Sequence, residues 1–271
     1  MSFSRLVLVT SLAFAAPMAA AHEFWIQPLS YQILNDGTLE AEFKNGQDFS
    51  GNPLSFFDRS SSRFEMAANG ERVALTPRTG DNPALNTAAP VKDALVSVVH
   101  ETTPSFVTYS EWEKFLKFAD HKDFRDAATD HEAAGWSKIR FKESYTRHAK
   151  ALIAVGDGAG SDIELGLVTE FTALTNPYDP NFDNNMKVTL TFRGAPRPDV
   201  QVEVFDRAPD DTVTITLHRT DAQGIADIPV TPGHRYLFDA VVLQPFADAS
   251  TAEGATVWET FWAALTFAVP Q

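Results

Sequence analysis

The 271-residue chain contains no cysteine. Disulfides, thiolate metal sites, iron–sulfur clusters and cysteine catalysis are therefore excluded, and any metal must be held by nitrogen and oxygen from the seven histidines and the carboxylates. A chain of this length buries enough surface to fold without disulfides, so their absence is compatible with export. Basic residues are also scarce, with 22 Lys and Arg against 36 Asp and Glu and a formal net charge of −14. Such a chain repels nucleic acid and attracts cations, and no nucleic-acid partner is expected. Long apolar runs are missing too. Nothing after Ala21 approaches the roughly 20 uncharged residues of a membrane-spanning helix, so the protein is not expected to be membrane-embedded. There is no Gly-x-Ser-x-Gly elbow and no His-Glu-x-x-His helix. The glycine-rich run Gly156–Gly160 lacks a following Lys-Ser/Thr and carries Asp157, so it reads as a flexible linker rather than a phosphate loop.

The N-terminal segment has the parts of a secretory signal. Arg5 is followed by an apolar stretch from Leu6 to Ala16 and then by Pro17-Met18-Ala19-Ala20-Ala21. Cleavage after Ala21 is expected to make His22 the first residue of a periplasmic protein; cleavage after Ala19, the less favoured alternative, would leave Ala20-Ala21-His22, a terminus that binds copper or nickel through amine, amides and imidazole.

From His22 to about Pro104 the pattern is of short strands and turns. Leu39-Glu40-Ala41-Glu42-Phe43 alternates as a half-buried strand does, with Asn45-Gly46 as a turn signal. Ala94–His100 is the strongest strand pattern of this half. Residues 110–148 read as a helical insert. Ser110 is an N-cap type residue; Trp112, Phe115, Leu116 and Ala119 share a helical face; a second helix spans about Lys122–Ala134 and a third about Glu143–Arg147. Beyond Gly160, short strands recur between turns such as Asp221-Ala222-Gln223-Gly224. The expected fold is mainly β: an N-terminal β domain over residues 22–160 with its helical insert, then an immunoglobulin-like antiparallel β-sandwich over residues 161–271.

Among the histidines, His22 stands out. A free α-amine next to an imidazole offers two nitrogens to one metal, and an amine with a pKa near 8 gives up its proton to a metal at neutral pH. Copper(II) and nickel(II) favour such donors. A second histidine would complete a histidine brace, and His100, His121, His131 and His148 are the candidates. His121 and His131 bracket the second expected helix and do not clamp one ion from that helix alone. The aromatic residues Trp258, Phe261 and Trp262, just before the last expected strand, read as core anchors.

Several segments together resemble the DUF4198 family of exported bacterial proteins. They are Ala21-His22-Glu23-Phe24-Trp25, Tyr145–Leu152, Asn176-Pro177-Tyr178, Arg219–Gly224 and Trp258–Phe267. Members of this family are often labelled as periplasmic components of nickel or cobalt transport. Relatives that carry histidine at the positions of Gln47 and near Val242 hold imidazoles this chain lacks, so His22 is the residue the resemblance carries over.

The expected function is a periplasmic accessory protein that binds nickel, cobalt or copper at His22, with His100, His121 or His131 completing the site, and hands it to a membrane transporter component. An immunoglobulin-like binding module without metal, marked by exposed Trp112, Trp136 and Trp258, is the second reading. A copper-brace oxidase is the third.

Overall fold

Alternation along the chain becomes layered sheets in the computed structural model, which describes residues 22–271. The signal expected over residues 1–21 lies outside the described residues. The N-terminal strands are β1 (Glu23–Pro28), β2 (Gln32–Ile33), β3 (Thr38–Gln47), β4 (Ser50–Leu54), β5 (Ser61–Ala68), β6 (Glu71–Ala74), β7 (Leu85–Ala88), β8 (Ala94–Thr102) and β9 (Ser105–Tyr109). Two helices follow, α1 (Trp112–His121) and α2 (Ala127–Ala133). The remaining strands are β10 (Phe141–Val155), β11 (Thr169–Ala173), β12 (Asn185–Phe192), β13 (Ala195–Pro196), β14 (Gln201–Arg207), β15 (Val213–Arg219), β16 (Ile225–Pro229), β17 (Arg235–Pro245) and β18 (Thr256–Ala268). The chain is mainly β, as its periodicity implies.

A ten-stranded sheet in the order β15-β14-β17-β18-β10-β8-β5-β6, with β2 and β9 on β10, runs through the molecule. A four-stranded sheet of β1, β3, β4 and β7 covers one face, and a second of β11, β12, β13 and β16 covers the other. Strand β10 explains why both covers are needed. Ala149, Ala151, Ile153 and Val155 join one core with Phe24, Ile26, Leu39 and Phe43. The intervening Leu152 and Ala154 join another with Phe171, Val188, Leu190 and Phe238. A strand buried on both faces reads as a continuous apolar run, which the end of β10 does.

The loop at Gly156–Ser161 separates β10 from β11, yet the large sheet continues across it. β10 pairs in parallel with β18 from Lys142–Thr256 to Ala151–Thr266, so the N-terminal and C-terminal portions share one sheet.

The sequence reading needs correcting at four places. Asn45-Gly46 is not the turn: β3 runs through it to Gln47, and the chain reverses at Asp48-Phe49, both at positive φ. Gly46 is needed there for another reason, since a Cβ would meet the Ser50 carbonyl oxygen at 2.0 Å. The expected third helix at Glu143–Arg147 is the first half of β10; Glu143, Ser144 and Arg147 are buried rather than turned to solvent. The second helix begins only at Ala127, because Asp123 takes a positive φ just after α1. The last strand starts at Thr256, so Trp258 and Trp262 lie within it, buried as anchors.

Both helices close one end of the large sheet. Phe115, Phe118 and Ala119 of α1 pack with Tyr109, Phe141, Trp258 and Trp262. A buried aromatic side chain of this kind contributes about 2–3 kcal/mol, which is how an α1 of ten residues holds its place.

Candidate functional site

Four buried charged side chains collect at the head of β1. Glu23 begins that strand, Lys122 caps α1, and Glu203 of β14 lies directly across from Asp239 of β17. All four are buried. The Lys122 ammonium donates to Glu203 Oε2 at 2.6 Å and to Asp239 Oδ2 at 2.9 Å, and lies 3.8 Å from Glu23 Oε1. Three carboxylates thus surround one cation. Burial, reinforced by the neighbouring Asp239, pushes the Glu23 carboxyl up to about 7. Burial also pushes Asp239 up.

His22 and His121 are the chain neighbours of this Glu23–Lys122 pair. His121, the last residue of α1, has 55% of its side chain exposed and places Nε2 at 3.1 Å from Glu203 Oε1. That hydrogen bond holds its imidazolium form up, against the opposing effect of burial, and the Glu23 charge adds to it. The His22 residue is exposed, while its backbone carbonyl accepts a hydrogen bond from Nη1 of Arg147. Asn45 Nδ2 donates to the next carbonyl, that of Glu23, at 3.3 Å. The head of the strand is therefore fixed by its backbone and leaves the imidazole free.

Arg147 is the hinge of the arrangement. Its guanidinium stacks over Trp262 at 4.5 Å and over Tyr145 at 5.1 Å. The Lys122 ammonium stands 5.0 Å from the same Trp262 ring. Behind this ring, Trp262 Nε1 donates to Thr260 Oγ1, which in turn donates to Glu143. Tyr109 donates to the other oxygen of Glu143 at 2.8 Å. Burial pushes the Glu143 carboxyl up.

The other histidines singled out in the sequence go elsewhere. His131, on the inner face of α2, is wholly buried: Nδ1 accepts from Trp258 Nε1 at 3.1 Å and Nε2 faces the Ser137 carbonyl oxygen at 3.1 Å. A carbonyl only accepts, so Nε2 carries the proton and no lone pair remains for a metal. This corrects its candidacy as a ligand. Trp112 and Trp136 pack around the same imidazole, and Trp258 is buried, so the three tryptophans form core rather than a surface patch. His100 is 2% exposed and ringed by Phe24, Phe43 and Phe64, with ring centroids 5.5, 4.1 and 5.6 Å away. Neither of its nitrogens has a hydrogen-bond partner. His148 faces the opposite side of β10, where Nδ1 meets the Trp262 carbonyl oxygen at 3.2 Å. So His100, His131 and His148 occupy three separate environments: His100 lies against Phe24 of β1, while His121 is joined to the β1 head through Glu203 and Lys122. Among the described residues no three His, Asp or Glu side chains are already spaced to hold one metal ion.

A second buried ion cluster, Lys150 with Asp162 at 3.0 Å and Glu170 at 2.7 Å, is saturated. Glu170 also accepts from the amides of Leu165, Gly166 and Leu167. It fastens the segment after Gly160 to the sheet. No helix among the described residues is long and apolar enough to cross a membrane.

A family model described as a domain of unknown function, DUF4198, matches residues 19–244. No curated protein matches the chain. Among solved structures, a tetra-tandem repeat from the extending region of a large adhesion protein is similar at 10% identity and a TM-score of 0.21. That similarity covers 91% of this chain and 49% of the adhesion protein's chain, so this chain spans about half of it.

Proposed function

The chain belongs to the DUF4198 family, and on that premise we propose that it is an exported, periplasmic metal-binding accessory protein. It takes up a nickel, cobalt or copper ion at His22 and passes it to a membrane transporter component. The observation that carries this reading is the position of His22. It stands exposed at the head of β1, its carbonyl held by Arg147, beside the acidic cluster of Glu23, Glu203 and Asp239 with its single ammonium.

Removal of residues 1–21 gives His22 an α-amine, and amine and ring nitrogen together suit copper(II) or nickel(II). We assign His121 and Glu203, joined to the β1 head through Lys122, as the donors that complete the site. The negative field of the cluster and of the whole chain draws a cation to this end. The residues present fit a borderline metal bound by imidazole and amine better than a hard ion such as calcium, which takes six to eight oxygens.

Sequencing the N-terminus of the exported protein is the first test, and it should read His22-Glu23-Phe24. Isothermal titration of that form with copper(II) and nickel(II) should then show one equivalent bound. A protein starting elsewhere, or one that binds neither ion, removes the reading.

A further inference from the structure

On the other side of Arg147 from the acidic cluster lies a cavity of about 170 Å³. His100 and Arg147 line it together with Phe24, Phe43, Phe57 and Tyr145. We infer that this cavity binds a small carboxylate carrying a short apolar body. The inference is separate from metal binding at His22 and does not depend on it.

Two unanswered polar groups argue for a ligand. Native interiors leave few buried polar atoms without partners, and here two residues that line the cavity have three between them: both ring nitrogens of His100 and Nε of Arg147. Arg147 forms no salt bridge among the described residues. Glu23, Asp239 and Glu143 act on it only through space, while burial lowers its pKa. A buried cation without a touching anion is costly, and a ligand carboxylate supplies that anion. Burial, with some repulsion from His148, pushes His100 down to about 3, so at neutral pH its ring is uncharged and offers one N–H and one lone pair. A neutral imidazole beside a guanidinium suits an anion; a metal cation would be repelled by Arg147.

The walls define the remainder of the ligand. Phe24, Phe43 and Phe64 ring the imidazole, and Leu54 and Phe57 stand partly exposed at the rim, at 40% and 39%. The volume equals that of about six waters, which is fragment-sized. Acetate to butyrate and benzoate cover the range.

The test is titration of the mature protein with butyrate, benzoate, butyramide, benzamide and inorganic phosphate, with chelator present throughout to remove metal. Changes in tryptophan fluorescence, with Trp262 under Arg147, and calorimetry both read binding. The carboxylates should bind at least tenfold more tightly than their amides and than phosphate. Arg147→Met should abolish that preference, and Ser60→Trp, at an exposed position on the cavity's edge, should block entry without touching the core. Equal binding of acid and amide, unchanged binding in the Ser60→Trp protein, or no binding of any carboxylate at millimolar concentration would overturn the inference.

Discussion

Arg147 donates a hydrogen bond to the backbone carbonyl oxygen of His22, a residue 125 positions earlier in the chain. The guanidinium comes from the middle of β10, and its aromatic support, Trp262, comes from the parallel neighbour β18. The position of the residue that leads into β1 is thereby set by the pairing of β10 with β18.

Replacing Arg147 by Met keeps an unbranched side chain against Trp262 but removes the guanidinium, its stack on that ring and its hydrogen bond to His22. Groups that orient a metal ligand typically contribute about 10–100-fold in affinity. Copper(II) affinity of the mature Arg147→Met protein should fall by about tenfold, toward the lower end of that range, because only the backbone is loosened. Stability should change little, since a buried charge leaves with the hydrogen bond. Calorimetry and urea unfolding read the two quantities.

The β1–β3 ladder suggests how binding at His22 could be strengthened. Its last pair is Glu23 with Gly46, so one step further His22 faces Gln47. Directly opposed side chains lie within about 5.5 Å at Cβ and on one face. Gln47→His should add a third nitrogen and raise nickel affinity by at least tenfold, measured by competition with a chelator of known strength. An unchanged affinity would place the His22 ring away from β3.

Lys122 is the only ammonium among three buried carboxylates. Removing one partner of a buried ion cluster typically costs about 3–5 kcal/mol. Lys122→Met should lose stability on that scale in urea unfolding, and adding Glu203→Gln and Asp239→Asn should recover most of it. If the single variant is as stable as the parent, the cluster contributes nothing to folding.

Acid stability should report the buried histidines. Burial pushes His148 down to about 4, although its hydrogen bond to the Trp262 carbonyl and the Glu170 charge oppose the shift. The folded-state value lies below the unfolded value of about 6.5. Between those two pH values the unfolded chain binds a proton that the folded one does not, so stability is complete above about 6.5 and declines as pH falls toward 4. The slope in that window is about 1.4 kcal/mol per pH unit for each such histidine. His148→Gln should flatten the pH profile of the urea midpoint by about one proton relative to the parent.

How far the sequence foretells this arrangement depends on how local the signal is. Leu39, Ala41 and Phe43 are buried on alternate positions of β3, as the pattern requires. The first half of β10 misleads because Glu143 and Arg147 look like the solvated face of a helix. Both are instead buried, with hydrogen bonds to residues far away: Tyr109 and Thr260 for Glu143, and for one nitrogen of Arg147 the His22 carbonyl; Lys150, further along β10, likewise meets Asp162 and Glu170. No spacing rule brings Glu23, Lys122, Glu203 and Asp239 together; they meet only through sheet order. His131 shows the converse, a histidine whose position looked functional and whose two nitrogens are both used in packing. The chemistry proposed for His22 needs only a free terminus and no tertiary contact, which is why the sequence by itself suggests it.

The most direct test of the account is calorimetric titration of copper(II) into two forms of the mature protein, one with the His22 α-amine free and one with it acetylated. If His22 grips the metal through amine and ring together, the free form binds one equivalent and acetylation weakens it by at least a hundredfold, about 2.7 kcal/mol. Equal affinity in the two forms would contradict the account.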